Sequence, residues 1–450
     1  MGGLSMSNKV SFQEKVFYGV GDAGCNFVWT TMASFMTLYY TDSVKVSAAV
    51  VGTIMLIARV FDGLTDIGMG VIIDRTKTKW GKARPWLLWS APFMAVGLIL
   101  IFNVPSSFSN SAKIIYIFLT YVFITDFAYT ASNLSYNTLL SLVTPNQKDR
   151  TSMSTIRFFC TMLSVLIISY CTMNLVNKVG WSGMSLIYGA IALVLLIIPF
   201  LGTKERYVPI KKDDKKIPFK TSFKVLIQNK HFIVVTLIFI INYAAMGTSS
   251  GVGIYYARDI MGNAGIFGTL MLAAILPMMF GLPLFPLLAG KFGKWKCMLV
   301  GYLLQIGGLV LIIFNPASVP VVIIGSVIKG LGGIPHTAGL FAMVADVVDY
   351  GEWKTNIRID GLTYSATSFG MKVGTGIGSA LVGWILAFGK YDGSAAVQSA
   401  SAILSMKVLY IYLPIGLYIL GFIALLFSNI DKIYPQVVIG LEERRQTESF

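Results

Sequence analysis

The apolar and polar positions of the chain sort into long apolar stretches separated by short polar gaps. Stretches able to cross roughly 30 Å of hydrocarbon fall at 14–41, 48–74, 84–105, 112–143, 152–177, 181–203, 230–258, 265–290, 295–315, 319–350, 361–389 and 404–428. This spacing predicts an all-α membrane protein with twelve transmembrane helices. The one long polar gap runs from Lys204 to Lys230, contains Lys211-Lys212-Asp213-Asp214-Lys215-Lys216, and divides the spans six and six. The expected organisation is an N-terminal six-helix half at 1–203, a middle loop at 204–229, a C-terminal six-helix half at 230–428 and a tail at 429–450.

Composition agrees with that pattern. Hydrophobic residues make up 55% of the 450 and charged residues 13%, about half the roughly 25% that a soluble surface needs. The net charge of +15 would point to nucleic acid in a soluble protein, but the position of the bases removes that reading. With the N-terminus inside, Lys45, Lys113, Lys178, Arg258, Lys390 and Lys407 fall in outer gaps, and Arg59, Lys329 and Lys372 within spans. Every other Lys and Arg lies on the inner side, which puts both termini in the cytoplasm and leaves no call for a nucleic-acid partner. Cys25, Cys160, Cys171 and Cys297 sit in or beside apolar stretches without metal-ligand spacing, so neither structural disulfides nor zinc are expected. The first stretch has no small-residue cleavage site and is expected to serve as an uncleaved insertion signal.

The two halves echo each other. The gap after the second stretch reads Gly70-x-x-x-Asp74-Arg75-x-Lys77-x-Lys79-x-Gly81-Lys82-x-Arg84, and that after the eighth reads Gly290-Lys291-x-Gly293-Lys294-x-Lys296. Short basic loops with glycine at matched places indicate a duplicated transporter with its site where the halves meet. The first loop, with an acid, bases and glycines at these spacings, resembles the loop signature of the major facilitator superfamily.

Ionisable groups inside the spans are costly and mark function by default. Asp62 and Asp66 are four residues apart, which puts their carboxylates on one helix face with Cβ atoms roughly 5–6 Å apart. Two such acids in low dielectric need a cation between them or a proton on one, so the pair is a candidate coupling site for Na+ or H+, with Thr65 and Thr130 as further oxygen donors. Arg59, three residues earlier, also fits a static ion network. Asp22, Asn26 and Trp29 form one stripe on the first stretch, where acid and amide can hold hydroxyls and an indole can stack on a pyranose; Gly19 and Gly21 bracket the acid and would let helices approach. On the fourth stretch Thr130, Asn133 and Asn137 share a face that Asp126 extends, and Arg157 enters the fifth as a strong donor. In the second half Lys372 lies mid-span in Gly370-Met371-Lys372-x-Gly374-x-Gly376-x-Gly378 and is expected to pair with an acid of the second stretch. His336 follows Pro335 and is either a solute contact or a helix-packing residue. Asp74, Arg75 and Arg84, with Asp346, Asp349, Glu352, Lys354 and Arg358, are expected to latch the inner mouth. No catalytic constellation is present, so an enzyme is not expected.

These blocks together resemble the glycoside-pentoside-hexuronide cation symporter family of the major facilitator superfamily, which includes the melibiose permease and the bacterial glucuronide transporter. The resemblance rests on Tyr18-Gly-x-Gly-Asp22, Tyr40-Thr-Asp42, Ala58-Arg-x-x-Asp62-x-x-x-Asp66, Asp74-Arg-Thr76, Trp80-Gly-Lys-x-Arg84-Pro85, Ala345-Asp-x-Val-Asp349-Tyr-Gly-Glu-Trp-Lys-Thr355, Gly361-Leu-Thr-Tyr-Ser365 and Lys372. It implies a monomeric symporter of the bacterial cytoplasmic membrane, without cofactor, that couples cation influx to uptake of a glycoside, pentoside or hexuronide. It implies cation-binding roles for Asp62, Asp66 and Thr130, and sugar-binding roles for Asp22 and Arg157, with Lys372 near both. Asn133 stands where the melibiose permease has its second sugar-binding aspartate, Thr65 where it has a cation-binding asparagine, and Asn137 where it has a stacking tryptophan. These departures weaken a case for melibiose and leave sodium less secure as the ion. A carrier of another solute such as a lysolipid fits less well, because the Asp22, Asn26, Trp29 stripe is polar. A transporter-fold sugar sensor would lack the coupling acids.

Overall fold

The computed structural model describes residues 10–206, 225–357 and 360–447. It is helical, with no β-pairing among the described residues beyond a single bridge between Thr78 and Gly81. The run Lys211–Lys216 and Arg358 lie outside the described residues. Several helices start where the sequence supplies an acceptor for unpaired N–H groups. The Ser11 hydroxyl accepts from Glu14 N at 3.1 Å, Asn146 Oδ1 from Lys148 N at 2.9 Å, and Asn229 Oδ1 from His231 N at 3.1 Å and Phe232 N at 3.2 Å.

Among the described residues, nine helices are long and apolar enough to cross a membrane, and ten if the bent pair Ala48–Gly63 and Gly68–Arg75 is one span. The protein is thus a multi-pass membrane protein. The expected fifth and sixth spans form one continuous run, Gln147–Gly202, interrupted by a single non-helical residue, Gly180, with φ 72° and ψ 175°. A straight helix of that length would measure about 80 Å at 1.5 Å per residue, far beyond one hydrocarbon thickness, and the run is broken at Gly180. The first helix, Phe12–Leu38, carries Glu14, Lys15 and Asp22 and is not among the nine. The expected tail at 429–450 contains a helix at Tyr434–Thr447. It packs on Val319–Thr355, and Tyr434 donates to Asp349 Oδ2 at 2.9 Å.

The chain separates into two compact units, Met1–Lys212 with Asp392–Ser394, and Asp213–Tyr391 with Ala395–Phe450. In the first, Phe12–Leu38 lies along Gln147–Gly202. Close approach here depends on glycine, since a Cβ on Gly21 would stand 2.7 Å from both Pro199 Cγ and Tyr136 Cε2. Tyr18 and Tyr136 stack with ring centroids 4.6 Å apart in a core shared with Leu87, Leu139, Leu142 and Met153. In the second unit Lys230–Tyr255 lies along Asp360–Phe388, and Lys294–Phe314 along Val319–Thr355.

The two echoing loops have the same construction, each within its own unit. Gly81 has φ +106° and Gly293 φ +84°, both in the region that favours glycine. After Gly81, Glu205 accepts the N–H groups of Lys82, Ala83 and Arg84, each at 2.8 Å. After Gly293, Asp431 Oδ2 accepts Trp295 N at 2.8 Å. Glu205 follows the helix ending at Gly202 and Asp431 the helix Leu413–Leu426, and each sits at the positive end of another helix. A Cβ on Gly81 would collide with the Glu205 carboxylate, and one on Gly293 would lie 2.7 Å from Asp431 Oδ2. Beside the first loop, Arg206 grips Glu14 at 2.7 and 2.9 Å, and these bonds raise the Arg206 pKa above its ordinary value.

Replacing Gly81 by Ala should therefore destabilise the first unit by about 1–3 kcal/mol, through backbone strain and displacement of Glu205. Gly290→Ala, at a position with open space around it, should stay within about 0.5 kcal/mol of the parent. Thermal unfolding of the two purified variants in detergent checks this, and equal midpoints would refute it.

Candidate functional site

Two polar groups form inside the first unit, and they account for most of its buried charge. The first is built on Asp22, only 6% exposed. Arg157 reaches it with Nε to Oδ2 at 3.0 Å and Nη2 to Oδ1 at 3.4 Å, a forked pairing that a lysine could not make. Thr161, one turn beyond Arg157, donates to Asp22 Oδ2 at 2.5 Å. Arg157 Nη1 also donates to Asn137 Oδ1 at 2.6 Å, Asn137 Nδ2 to Asn133 Oδ1 at 2.9 Å, and Asn133 Nδ2 to the Tyr129 hydroxyl at 3.4 Å. The Arg157 guanidinium lies 4.9 Å over the Tyr136 ring, and the Tyr136 hydroxyl donates to Tyr18 O at 2.8 Å. The result is a ladder of alternating donors and acceptors drawn from three helices. Asn26 joins it only indirectly, since its amide donates to the Asp22 backbone carbonyl at 2.8 Å.

The second group is built on Asp62, 3% exposed, and Arg59, 7% exposed. Arg59 Nη1 donates to Asp62 Oδ2 at 3.0 Å and Nη2 to the Tyr121 hydroxyl at 3.2 Å. The Thr130 hydroxyl lies 3.2 Å from Asp62 Oδ1 and 3.2 Å from Asp66 Oδ1, with Thr125 O at 3.3 Å. A hydroxyl has one proton, so it serves one of these three acceptors at a time. Asp62, Asp66 and Thr130 thus meet as expected. Thr65 does not join them through its hydroxyl bonds, which turn back to Asp62 O at 3.1 Å and Phe61 O at 3.4 Å, the usual bonding of a mid-helix threonine. Among the described residues no three His, Cys, Asp or Glu side chains gather into a metal cluster. The oxygen set of Asp62, Asp66 and Thr130 suits a hard monovalent cation or a proton rather than a transition metal.

Trp29 stands between the groups. Its ring lies 4.3 Å below the Arg59 guanidinium, and its centroid is 5.0 Å from that of Tyr129. Asp126 departs from expectation. A wide π turn at Phe123–Tyr129 adds a residue to the helix, so the spacing 126, 130, 133, 137 no longer describes one face. Asp126 is 2% exposed and accepts from the Thr125 hydroxyl at 2.8 Å.

The remaining expected residues divide between the units. In the first, Asp74 pairs with Lys82 at 3.1 Å, Arg75 is exposed, and Arg84 Nε donates to Phe200 O at 3.1 Å. In the second, Asp346 pairs with Lys294, and the Glu352 carbonyl accepts from Arg444 at 3.5 Å. His336 is 5% exposed, bonds Gly332 O at 3.1 Å and packs 4.0 Å from the Tyr302 ring, the surroundings of the helix-packing residue that was one of its two expected readings. Lys372 is half-buried on Asp360–Phe388. Its expected partner, an acid of the second helix, belongs to the other unit. Lys329, also mid-helix, donates to Ser249 Oγ at 3.0 Å. Thr161, Tyr121 and Tyr129 were missed. Thr161 could have been found four residues after Arg157, whereas Tyr121 is brought to Arg59 only by tertiary packing.

Residues 17–432 match the MFS/sugar transport protein family. The chain belongs to this family. Its members are transporters, and this chain is a transporter rather than an enzyme. It is 36% identical over 455 residues to the "Isoprimeverose transporter" of Lactiplantibacillus pentosus, covering 98% of this chain and 94% of that one. It is 29% identical over 457 residues to the "Glucuronide carrier protein homolog" of Escherichia coli (strain K12), covering 98% of each. The crystal structure of the nucleoside transporter NupG is similar in fold, with TM-score 0.61 at 11% identity over 93% of this chain and 100% of that one. The family places the resemblance seen in the motifs on the whole chain.

The Asp22–Arg157 pair makes a separate stability prediction. Arg157→Gln strands a buried carboxylate and should cost about 1–3 kcal/mol, while Asp22→Asn/Arg157→Gln should recover most of that loss. Chemical or thermal unfolding of both variants measures it; a double variant as unstable as Arg157→Gln would show that the pair does not compensate the charge.

Proposed function

We propose that the protein is a twelve-span symporter of a bacterial cytoplasmic membrane, with both termini in the cytoplasm, that couples Na+ or H+ influx to uptake of a glycoside, pentoside or hexuronide by alternating access. The observation that carries this reading is the single Thr130 hydroxyl held 3.2 Å from both Asp62 and Asp66. Two acids sharing one donor form a site that a proton or small cation completes. Asp62, Asp66 and Thr130 would hold the ion, and Arg59 would limit Asp62 to its Oδ1 oxygen.

Asp22, Arg157, Asn137 and Asn133 would hold the solute. The acid and guanidinium balance each other's charge and present acceptors and donors side by side, which suits vicinal hydroxyls. A carboxylate would have to displace Asp22 from Arg157. This favours a neutral glycoside within the proposed class, in keeping with the isoprimeverose transporter among the relatives.

Asp66→Ala should abolish accumulation of solute against its gradient. Uptake into membrane vesicles of isoprimeverose and a panel of labelled glycosides and glucuronides, under imposed Na+, Li+ or H+ gradients, tests this and identifies the ion. Full concentrative uptake by the variant would refute the coupling role.

A further inference from the structure

We infer that Trp29 is the positioning residue that links the ion group to the solute group, through its contacts with Arg59 on one side and Tyr129 on the other. The inference rests on the symport reading above and adds to it the path by which one ligand acts on the other. Between Asp66 and Asp22 runs an unbroken series of contacts within one unit. Asp66 and Asp62 share Thr130 at 3.2 Å, and Asp62 holds Arg59 at 3.0 Å. Arg59 lies 4.3 Å over Trp29, which lies 5.0 Å from Tyr129. Tyr129 takes a bond from Asn133 at 3.4 Å, which is joined to Asn137 at 2.9 Å, and Asn137 meets Arg157 at 2.6 Å.

Arg59 is the element with two ways of being satisfied. Its guanidinium can be held by the Asp62 carboxylate or can rest more fully on the indole face and the Tyr121 hydroxyl, since a planar guanidinium both forks and stacks. A proton or cation at Asp62, Asp66 and Thr130 shares the Asp62 charge and weakens its hold on Arg59. The guanidinium then bears on Trp29, and the indole presses on Tyr129, which ends the ladder that carries Asn133, Asn137 and Arg157. A solute that orders the ladder acts back along the same contacts. Linkage requires the two effects to be equal, so the ion strengthens solute binding by the same factor as the solute strengthens ion binding.

Two measurements test this, one of which needs no solute. The emission of Trp29, obtained as the difference between the parent protein and Trp29→Phe, should change when Asp62→Asn removes the carboxylate charge, and should then no longer respond to the coupling ion. Identical Trp29 emission with and without Asp62→Asn would overturn the inference. In the second, the ion should strengthen isoprimeverose binding to the parent at least about fivefold, within the usual range of coupling. Trp29→Leu should reduce that factor to less than about twofold, and Trp29→Phe, which keeps an aromatic face, should restore part of it. Both variants are compared with the parent by thermal unfolding, and retention of the full ion effect by a folded Trp29→Leu would overturn the inference. Isoprimeverose binding to the parent that is indifferent to every ion would instead overturn the symport reading, which the fluorescence measurement does not share.

Discussion

A carboxylate cannot sit among hydrocarbon without a partner, and the polar architecture of the first unit follows from satisfying two of them. The cost of leaving such a charge unpaired is several kcal/mol even after relaxation. Asp22 is met by Arg157 and Thr161, and Asp62 by Arg59 and Thr130. Each guanidinium then has donors to spare, and these recruit Asn137 in one case and Tyr121 in the other. Each also lies over an aromatic ring, Tyr136 for Arg157 and Trp29 for Arg59. The same solution is used twice within one unit, with an acid, an arginine, a hydroxyl and a ring.

Pairing of this kind also explains why the two basic loops resemble each other in structure more than in sequence. Gly81 and Gly293 both turn through positive φ, and both leave room for an acid that arrives from the end of the same half, Glu205 or Asp431. The acid caps the next helix and fixes where the chain leaves the last one. The basic residues around these turns carry the charge bias seen in the sequence, but the turns themselves are held by the acids.

What the sequence made legible follows from the range of the forces involved. Apolar stretches long enough to span a bilayer announce themselves, and each of the expected spans coincides with helix. The meeting of Asp62, Asp66 and Thr130 could be read because two of the three share a helix face and the third has its counterpart in the family motif. The partners of Arg59 could not all be read, since Tyr121 and Trp29 come from other helices and no local spacing points to them. The π turn at Phe123–Tyr129 was equally silent. It has no residue signature of its own, and it changed which side chains share a face with Thr130. The helix at Tyr434–Thr447 falls within the expected tail because its apolar positions, such as the buried Val437 and Leu441, are too few to make a span.

That turn also bears on how one carrier can bind two ligands together. It ends at Tyr129, and Thr130 follows it directly. Consecutive residues of a helix point about 100° apart, so one side chain reaches the solute group while the next reaches the ion group. Any adjustment of the backbone at this place moves both at once. A regular α-helix resists such adjustment, whereas a π turn, with one residue more than the regular ladder accommodates, can shift its wide hydrogen bond along the chain, which is why such turns recur at functional sites. Beside this turn the Thr130 hydroxyl lies 3.3 Å from the carbonyl of Thr125, five residues back. The same hydroxyl is the donor that Asp62 and Asp66 share. On the symport reading proposed above, an ion held by those carboxylates would release Thr130 to bond within its own helix, next to Tyr129 at the end of the ladder, and would add to the path through Trp29.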